Sequence, residues 1–198
     1  MPKYYAVFVG KKTGLYDSWI ACKEQVIGFP GAKYKSFPSQ RLAEAALGII
    51  DKSISMPEDV GKMALAVDAA YSSSTGKGEC RAVLIPCGKE MWRTDPWDHT
   101  TNNIMEFVAL VKGLKWIHRR GLRIPLFTDS ATAISWVKGD GICRTTHKPP
   151  KGSISYSQIE SAEKWLKEIR QTFPELLDLI KKWDTREYGE IPADFGRK

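Results

Sequence analysis

The chain of 198 residues is predicted to be an α/β protein, in which a mixed five-stranded sheet with helices on both faces follows a small α+β domain. Three strand-like runs, 63–71, 79–86 and 89–95, are joined by short turns, which predicts an antiparallel meander. A helix then precedes a buried strand at 123–129, and strand–helix–strand crossovers of this kind add parallel strands. A mixed sheet is therefore expected.

The remaining elements of the larger domain follow from hydrophobic periodicity and capping residues. A period of 3.6 residues predicts a helix over 102–120, and Ser130 is placed to cap a second helix that runs through Trp136. A polar loop at 139–156, a helix at 158–171 and a final strand within 176–183 complete the domain.

A segment without periodicity separates the two domains. Residues 48–62 carry Pro57 and Gly61 and are typical of a linker, which predicts domains at 1–47 and 63–198. The small domain is expected to contain strands at 4–10, 15–19 and 32–37 and helices at 19–29 and 41–47.

Composition and charge narrow the class of protein. No apolar run approaches the ~20 residues of a membrane span, and the N-terminus lacks a convincing signal peptide, so a cytoplasmic protein is expected. The four cysteines show no CxxC spacing, which favours reduced thiols over a thiolate metal site. The net charge of +7 suggests a polyanionic partner. The small domain is the more basic for its size, with seven Lys or Arg against three Asp or Glu.

Glu106 interrupts the apolar face of the predicted helix 102–120. It lies one turn before Leu110 and in line with Gly113 and Ile117. An unpaired carboxylate buried there would cost roughly several kcal/mol, so it needs a partner such as a cation or a metal. The alternatives are that Glu106 extends to solvent or pairs with a lysine.

Asp68 is predicted at the centre of a strand. The face of the strand that carries Asp68 also carries Ala64, Ala66 and Ala70. Because these side chains are small, we expect a helix to approach this face closely, with Gly113 allowing the same approach from the helix side.

Two further acids stand where a ligand site could form. Asp129 ends a buried strand just before a helix, where open α/β sheets bind their ligands, and Asp194 lies near the C-terminus. Taken singly, Asp129 is more typical of a helix cap and Asp194 of a solvated tail. With Asp68 and Glu106 they converge at one sheet edge, where carboxylates repel unless divalent cations lie between them. Two such ions ~4 Å apart suit attack of water on a phosphodiester.

Four segments resemble, in chain order, the motifs of a type 1 ribonuclease H: VDAAYSSSTGKGE, TTNNIMEFVALVKGLKW, LFTDSATAISWVKG and PADFGRK. This resemblance spans nearly all of 63–198. The run YYAVFVGKKTGLYDSWIACKEQVIGFPGAKYKSF is similar to the hybrid-binding domain that precedes the nuclease in many such enzymes.

The resemblance implies a ribonuclease H-like fold and an endonuclease that hydrolyses the RNA strand of RNA/DNA hybrids, leaving 3′-hydroxyl and 5′-phosphate ends. Two Mg²⁺ or Mn²⁺ ions per active site, an RNA/DNA hybrid as partner and a monomeric state are expected. The implied catalytic metal ligands are Asp68, Glu106, Asp129 and Asp194. Glu106 is also expected beside the ribose 2′-hydroxyl, the group that distinguishes RNA from DNA.

The resemblance further implies contacts with nucleic acid. The minor-groove residues would be Ser73, Ser74, Asn102 and Asn103, and His99 and Thr101 would lie near a pocket for a DNA-strand phosphate. Trp136 is either a DNA-strand contact or a core residue. In the small domain the candidates are Tyr5, Lys11, Lys12, Trp19, Tyr34 and Lys35. Alternatively, its tyrosines are core residues and its lysines a solvated face.

The chain departs from the family pattern near its C-terminus. Many type 1 enzymes carry a histidine before the last aspartate, whereas this chain offers Glu187 and Glu190, which either substitute for it or are solvated. The helix that often follows Asp194 is missing, which makes Asp194 the least secure ligand. Two rival hypotheses therefore stay open: a catalytically weak or inactive hybrid-binding protein, and another nuclease of the same superfold.

Overall fold

The computed structural model of the chain describes residues 3–37, 40–48 and 63–196. The predicted linker therefore lies outside the described residues, apart from Gly48. The chain folds as two compact units, one of Met1–Glu58 with Asp184–Glu190 and one of Asp59–Trp183 with Ile191–Lys198. No helix in the described part of the chain is long and apolar enough to cross a membrane.

The small unit contains a three-stranded antiparallel sheet with the strand order β2-β1-β3. Its strands are β1 (Tyr4–Val9), β2 (Gly14–Tyr16) and β3 (Lys33–Phe37), and its helices include α1 (Trp19–Val26) and α2 (Gln40–Ala46). The Ser18 side chain caps α1 by accepting a hydrogen bond from the Ala21 backbone N–H. The helix ends earlier than predicted, before Gly28, which adopts a left-handed φ of 71°.

The sheet of the large unit has the strand order β6-β5-β4-β7-β8. Its strands are β4 (Ala64–Ser72), β5 (Lys77–Ile85), β6 (Lys89–Arg93), β7 (Leu126–Thr128) and β8 (Ile180–Lys182). The strands β4, β5 and β6 form the predicted antiparallel meander, and β7 and β8 are parallel to β4. The predicted mixed five-stranded α/β architecture is therefore confirmed.

The helices after β6 follow the predicted order with shifted boundaries. They are α3 (Asn102–Arg119), α4 (Ala131–Lys138), α5 (Ile154–Thr172) and the short α6 (Thr185–Tyr188), which the pattern did not predict. α5 begins four residues earlier than expected because the Ser153 side chain accepts from the Tyr156 N–H. The predicted last strand is also shorter, since Pro174–Leu179 forms a 3-10 helix.

The packing of α3 corrects the expectation about Gly113. A Cβ atom on this glycine would lie 3.0 Å from Val67 Cγ1 and 2.9 Å from Leu126 Cδ1, so the helix approaches the sheet closely there. Val67 lies on the opposite face of β4 from Asp68, because successive side chains of a strand alternate. The small alanines beside Asp68 are therefore not the surface that α3 covers, and that part of the prediction was wrong.

Candidate active site

The register of the sheet brings two of the predicted acids to the same level. β4 pairs with β7 through Leu65 and Leu126, then through Ala66 and Phe127. Continued in the same register, Asp129 falls level with Asp68. Asp68, at the centre of β4, and Asp129, directly after β7, therefore lie side by side.

Glu106 is joined to this edge by hydrogen bonds. Its carboxylate accepts from Asn102 Nδ2 at 2.6 Å, one turn earlier on α3, and from Ser130 Oγ at 2.5 Å. Ser130 directly follows Asp129 and also caps α4 by accepting from the Ala133 N–H. Both partners are uncharged. Burial, followed by repulsion from Asp129, raises the Glu106 pKa, while the two hydrogen bonds oppose this shift.

The Asp68 carboxyl is strongly perturbed by its surroundings. Its side chain is buried, and burial is the main cause that raises its pKa from 3.8 to about 7. Repulsion from Asp129, Asp194 and Glu106, in that order, adds to the shift, and a hydrogen bond from the Ala69 backbone opposes it. Each of the other three predicted acids therefore acts electrostatically on Asp68.

Asp194 is held in a turn and is not part of a solvated tail. Its backbone N–H donates to the Ile191 carbonyl at 2.7 Å, and its Oδ2 accepts from the Gly196 N–H at 2.9 Å. The neighbouring Ala193 is fully buried. A cleft of about 440 Å³ is lined by Asp194 together with Ala69, Ala70, Tyr71, Ser72, Ser73, Asn102 and Phe195.

The donor set fits a hard divalent cation. Four carboxylates supply only oxygen ligands, which suit Mg²⁺ and Mn²⁺, and a cation would relieve the mutual repulsion that adds to burial in raising the Asp68 pKa. Within residues 3–37, 40–48 and 63–196, however, no group of three or more His, Cys, Asp or Glu is arranged so that it could hold a metal ion. Binding would therefore require the side chains to turn towards a shared ion.

A second pocket, of about 630 Å³, lies beside the predicted phosphate-binding residues. Its lining includes His99, Thr100, His147 and Ser153, the residue that caps α5. His99 adopts a left-handed φ of 53°. Two buried polar atoms, Thr100 Oγ1 and His147 Nε2, have no hydrogen-bond partner among the described residues. Thr101, the predicted residue, instead caps α3 by accepting from the Ile104 N–H.

The other predicted contacts of this unit differ in exposure. Ser73, Ser74, Asn102 and Asn103 are exposed, with Ser74 Oγ 2.9 Å from Ser72 Oγ. Trp136 is half-buried and packs edge-on against Phe107, with 6.1 Å between ring centroids. Trp136 therefore has a packing role and keeps part of its surface accessible.

Three aromatic rings form a ladder on the small unit. The Trp19 ring lies 5.6 Å from Tyr5 and 5.4 Å from Tyr34 between centroids. Trp19 and Tyr34 are 40% and 47% exposed, so the ladder is accessible and Tyr34 is not a core residue. Lys35 follows on the edge strand β3 and points to the other face, since its register partner is Ala6 while that of Tyr34 is Val7.

Several residues around the two pockets of the large unit were not predicted from the sequence. Arg81 donates hydrogen bonds to the backbone around Asp194, and Phe195 and His147 line the two pockets. A signal for Arg81 was available, because it is the single charged side chain in the apolar run from Cys80 to Ile85. The contribution of Phe195 and His147 depends on chain segments that meet only in the folded protein.

Comparison with known proteins identifies the family of the chain. Residues 61–182 match the model of the RNase H family, and residues 3–47 match the model of the ribonuclease H1 N-terminal domain. The chain belongs to the ribonuclease H family. The matched RNase H segment contains Asp68, Glu106 and Asp129, whereas Asp194 lies beyond its end.

Individual relatives of this ribonuclease H family chain cover different parts of it. A ribonuclease H of Saccharomyces cerevisiae is 27% identical over 180 residues, 81% of this chain and 49% of that protein, so the chain spans about half of its length. A ribonuclease H of Ehrlichia ruminantium is 32% identical over 117 residues, 56% of this chain and 74% of that protein. The solved structure of LC11-RNase H1 in complex with an RNA/DNA hybrid is 16% identical, with a TM-score of 0.39, covering 62% of this chain and 83% of that one.

Proposed function

We propose that this chain is an endonuclease that hydrolyses the RNA strand of RNA/DNA hybrids by two-metal-ion catalysis, leaving 3′-hydroxyl and 5′-phosphate ends. One observation carries the proposal. In a chain of the ribonuclease H family, the sheet register brings Asp129 level with Asp68, Glu106 is hydrogen-bonded to the adjacent Ser130, and the charges of Asp129, Asp194 and Glu106 each help to raise the Asp68 pKa. Such mutual repulsion at one sheet edge favours the binding of divalent cations.

Asp68, Glu106, Asp129 and Asp194 would hold Mg²⁺ or Mn²⁺, two ions per site. When bound, these ions would activate the attacking water and stabilise the leaving oxygen of the scissile phosphodiester. The chain itself would supply the geometry. Hydrogen bonds from Asn102 and Ser130 fix the orientation of the Glu106 carboxylate, which limits the rearrangement that binding requires.

Discrimination of RNA from DNA would come from the 2′-hydroxyl groups. We place Glu106 beside the 2′-hydroxyl next to the scissile phosphate, where its carboxylate can accept a hydrogen bond. Ser73, Ser74, Asn102 and Asn103 would contact the minor groove. Exposed side chains at these positions, and the presence of Ser73 and Asn102 in the cleft lining, support this assignment.

The pocket beside His99 would take a phosphate of the DNA strand. The N-terminus of the 19-residue helix α5 and its cap Ser153 lie at this pocket, and a helix N-terminus favours an anion. Thr100 Oγ1 can donate a hydrogen bond to a phosphate oxygen, and so can His147 Nε2 when it carries a proton. Thr101 would act indirectly, by capping α3 next to this pocket.

Residues 1–47 would form a hybrid-binding domain, joined by 48–62 to a catalytic domain at 63–198. The ladder of Tyr5, Trp19 and Tyr34, in which Trp19 and Tyr34 are exposed, can stack on sugars or bases, while Lys11 and Lys12 can pair with phosphates. Lys35, on the other face of β3, would reach a phosphate at the edge of the sheet. Binding by this domain would raise the local concentration of hybrid at the catalytic domain.

A second candidate function is hybrid binding with weak or absent cleavage. It is favoured by the finding that the described acids are not arranged to hold a metal ion. The missing loop histidine points the same way.

A cleavage assay separates these candidates. End-labelled RNA/DNA hybrid, duplex RNA and duplex DNA would each be incubated with Mg²⁺, Mn²⁺ or EDTA. We expect cutting of the RNA strand of the hybrid alone, abolished by EDTA, with products that carry 5′-phosphates and 3′-hydroxyls. Binding of the hybrid without cutting would favour the second candidate, and equal cutting of duplex DNA would contradict both.

A further inference from the structure

Arg81 lies on β5 directly opposite Asp68 in the antiparallel register, so both side chains project from the same face of the sheet. The Arg81 side chain is 19% exposed, which is low for an arginine. Its position in the middle of an inner strand is unusual for a cation and requires partners.

The partners of Arg81 are the backbone of the turn that carries Asp194. Arg81 Nε donates to the carbonyl oxygen of Ala193 at 2.8 Å, and Arg81 Nη2 donates to the carbonyl oxygen of Asp194 itself. One edge of the guanidinium thus holds two consecutive carbonyl groups. This bidentate geometry restricts the position and the orientation of the two successive peptide groups.

The rest of the guanidinium is also occupied. Arg81 Nη1 forms an ion pair with Glu90 at 3.2 Å, which compensates the charge. The Phe195 ring lies 4.7 Å from the guanidinium carbon and 5.1 Å from that of Arg93. Arg93 is itself paired with Glu90 at 2.9 Å. Arg81, Glu90, Arg93 and Phe195 therefore form one cluster.

We infer that Arg81 is a positioning residue that holds the fourth carboxylate of the site in place, an inference that rests on the proposed function. The Asp194 carbonyl and the Asp194 side chain share one Cα atom, so a fixed carbonyl limits where the carboxylate can lie. The other described hydrogen bonds of Asp194, to Ile191 and Gly196, are local to the same turn and cannot place that turn against the sheet. The two Arg81 bonds tie it to β5, the neighbour of the strand that carries Asp68.

Two substitutions separate the geometry of Arg81 from its charge. Arg81→Gln removes the charge and the bidentate pair, whereas Arg81→Lys keeps the charge and cannot donate to both carbonyls in the same way. Arg93→Gln is the matched control. It removes a cation from the same cluster, next to the same Phe195 ring and Glu90, and leaves both Arg81–backbone bonds intact.

The test measures the dissociation constant of Mn²⁺ from the full-length protein by calorimetry, together with the Mn²⁺ concentration that gives half-maximal cleavage. We expect both to rise about tenfold in Arg81→Gln and Arg81→Lys, with hybrid affinity unchanged. Cleavage at saturating Mn²⁺ should return to within about threefold of the unsubstituted protein. Arg93→Gln should change each value less than about twofold. Melting temperatures measured in EDTA identify any variant that fails to fold, and in that case the milder Arg81→Lys carries the test.

The outcomes distinguish the two claims. Unchanged Mn²⁺ affinity in a folded Arg81 variant overturns the role of Arg81 and leaves the proposed function standing. An equal loss in Arg93→Gln also overturns it, because the cluster charge and not the bidentate contact would then be responsible. If the unsubstituted protein binds no Mn²⁺ and cuts no hybrid, the proposed function fails and the inference fails with it.

Discussion

Glu106 and Asp194 belong to the same group of acids but are presented by opposite means. Glu106 projects from an 18-residue helix with ten buried residues, and its carboxylate is fixed by Asn102 and Ser130. Asp194 lies in the turn from Ile191 to Gly196, which two hydrogen bonds from Arg81 attach to the sheet. One acid is positioned by a long helix in the hydrophobic core, and the other by a short turn that buries only Ile191 and Ala193 and is bonded to Arg81.

This difference indicates which changes each side of the site tolerates. A well-packed helix resists displacement, because any shift must move many buried neighbours. A short turn with two buried side chains and a few polar bonds can adjust more easily, since fewer buried neighbours must move and water can replace one of its polar contacts. We therefore expect a substitution on the α3 side of the site to lower the cleavage rate strongly, and a substitution at Asp194 to lower it less.

The largest expected effect tests this contrast directly. Glu106→Gln should lower the cleavage rate roughly thousandfold, which corresponds to about 4 kcal/mol of transition-state stabilisation, because no neighbouring acid can replace a carboxylate fixed on α3. Asp194→Asn should lower it only about 10- to 100-fold, since its turn can readjust. Single-turnover cleavage of a labelled hybrid measures both rates.

Glu168→Gln is the control for these two variants, because it neutralises an exposed acid of α5 in the same unit. It should leave the rate unchanged. Equal losses of cleavage rate in Glu106→Gln and Asp194→Asn would contradict the proposed difference between the α3 side and the Asp194 side of the site.

A smaller effect concerns Asp68, whose pKa is raised by both Glu106 and Asp194. Because the folded-state pKa of Asp68 is about 7, raised from 3.8, the folded protein holds a proton that the unfolded chain loses at lower pH. This contribution to the free energy of unfolding is fully present below about pH 4 and is lost as the pH rises through 7. Asp68→Asn should therefore stabilise the metal-free protein by roughly 1–4 kcal/mol at pH 8 and by much less at pH 5.

Urea unfolding in EDTA at the two pH values measures this difference. Gln171→Ala, which changes an exposed uncharged side chain of the same unit, serves as the comparison and should show no such pH dependence. A stabilisation of equal size at both pH values would contradict the electrostatic origin of the effect.

Gly113→Ala tests whether the helix that carries Glu106 is fixed by its packing. The added methyl group would lie 2.9 Å from Leu126 Cδ1 and 3.0 Å from Val67 Cγ1, so these buried side chains, the helix or the strands must shift. We expect a loss of about 1–2 kcal/mol in the free energy of unfolding, because overpacking outweighs the better helix propensity of alanine. Arg119→Ala, on the exposed side of α3, should change it by less than about 0.5 kcal/mol. A stabilised Gly113→Ala protein would show that the contact is loose.

The last prediction concerns the small unit, where a substitution should change hybrid affinity and leave the cleavage step unchanged. Trp19→Ala removes the middle ring of the aromatic ladder and should weaken hybrid binding about 5- to 50-fold, with the single-turnover rate at saturating hybrid unchanged. Ile20→Ala is the matched control, since Ile20 is the neighbouring apolar side chain and is 74% exposed. Fluorescence anisotropy with labelled hybrid gives both affinities, and equal weakening in the two variants would argue against stacking on the ladder.

The fold and much of the site could be predicted from local patterns. Strand-like runs predicted β4, β5 and β6, Ser130 was predicted to cap α4, and the position of Glu106 on α3 pointed to a site. These features depend on neighbours in sequence, which periodicity and capping rules describe well.

Other features depend on contacts between distant segments. The bonds from Arg81 to Ala193 and Asp194 join residues that are 112 and 113 positions apart, and no local pattern specifies them. The face of β4 that receives α3 was predicted wrongly for a related reason. Small alanines suggested a close approach, whereas the packing places Gly113 against Val67 and Leu126 on the other face.

The central claim is that four acids at one sheet edge would hold the metal ions with which the protein cuts RNA in a hybrid. Asp68→Asn tests this claim most directly. The substitution keeps the shape of the side chain and removes its charge. With Mg²⁺ or Mn²⁺, we predict that the unsubstituted protein cuts the RNA strand, while Asp68→Asn binds the same hybrid with similar affinity and leaves it intact. Cleavage by Asp68→Asn at the unsubstituted rate would contradict the account.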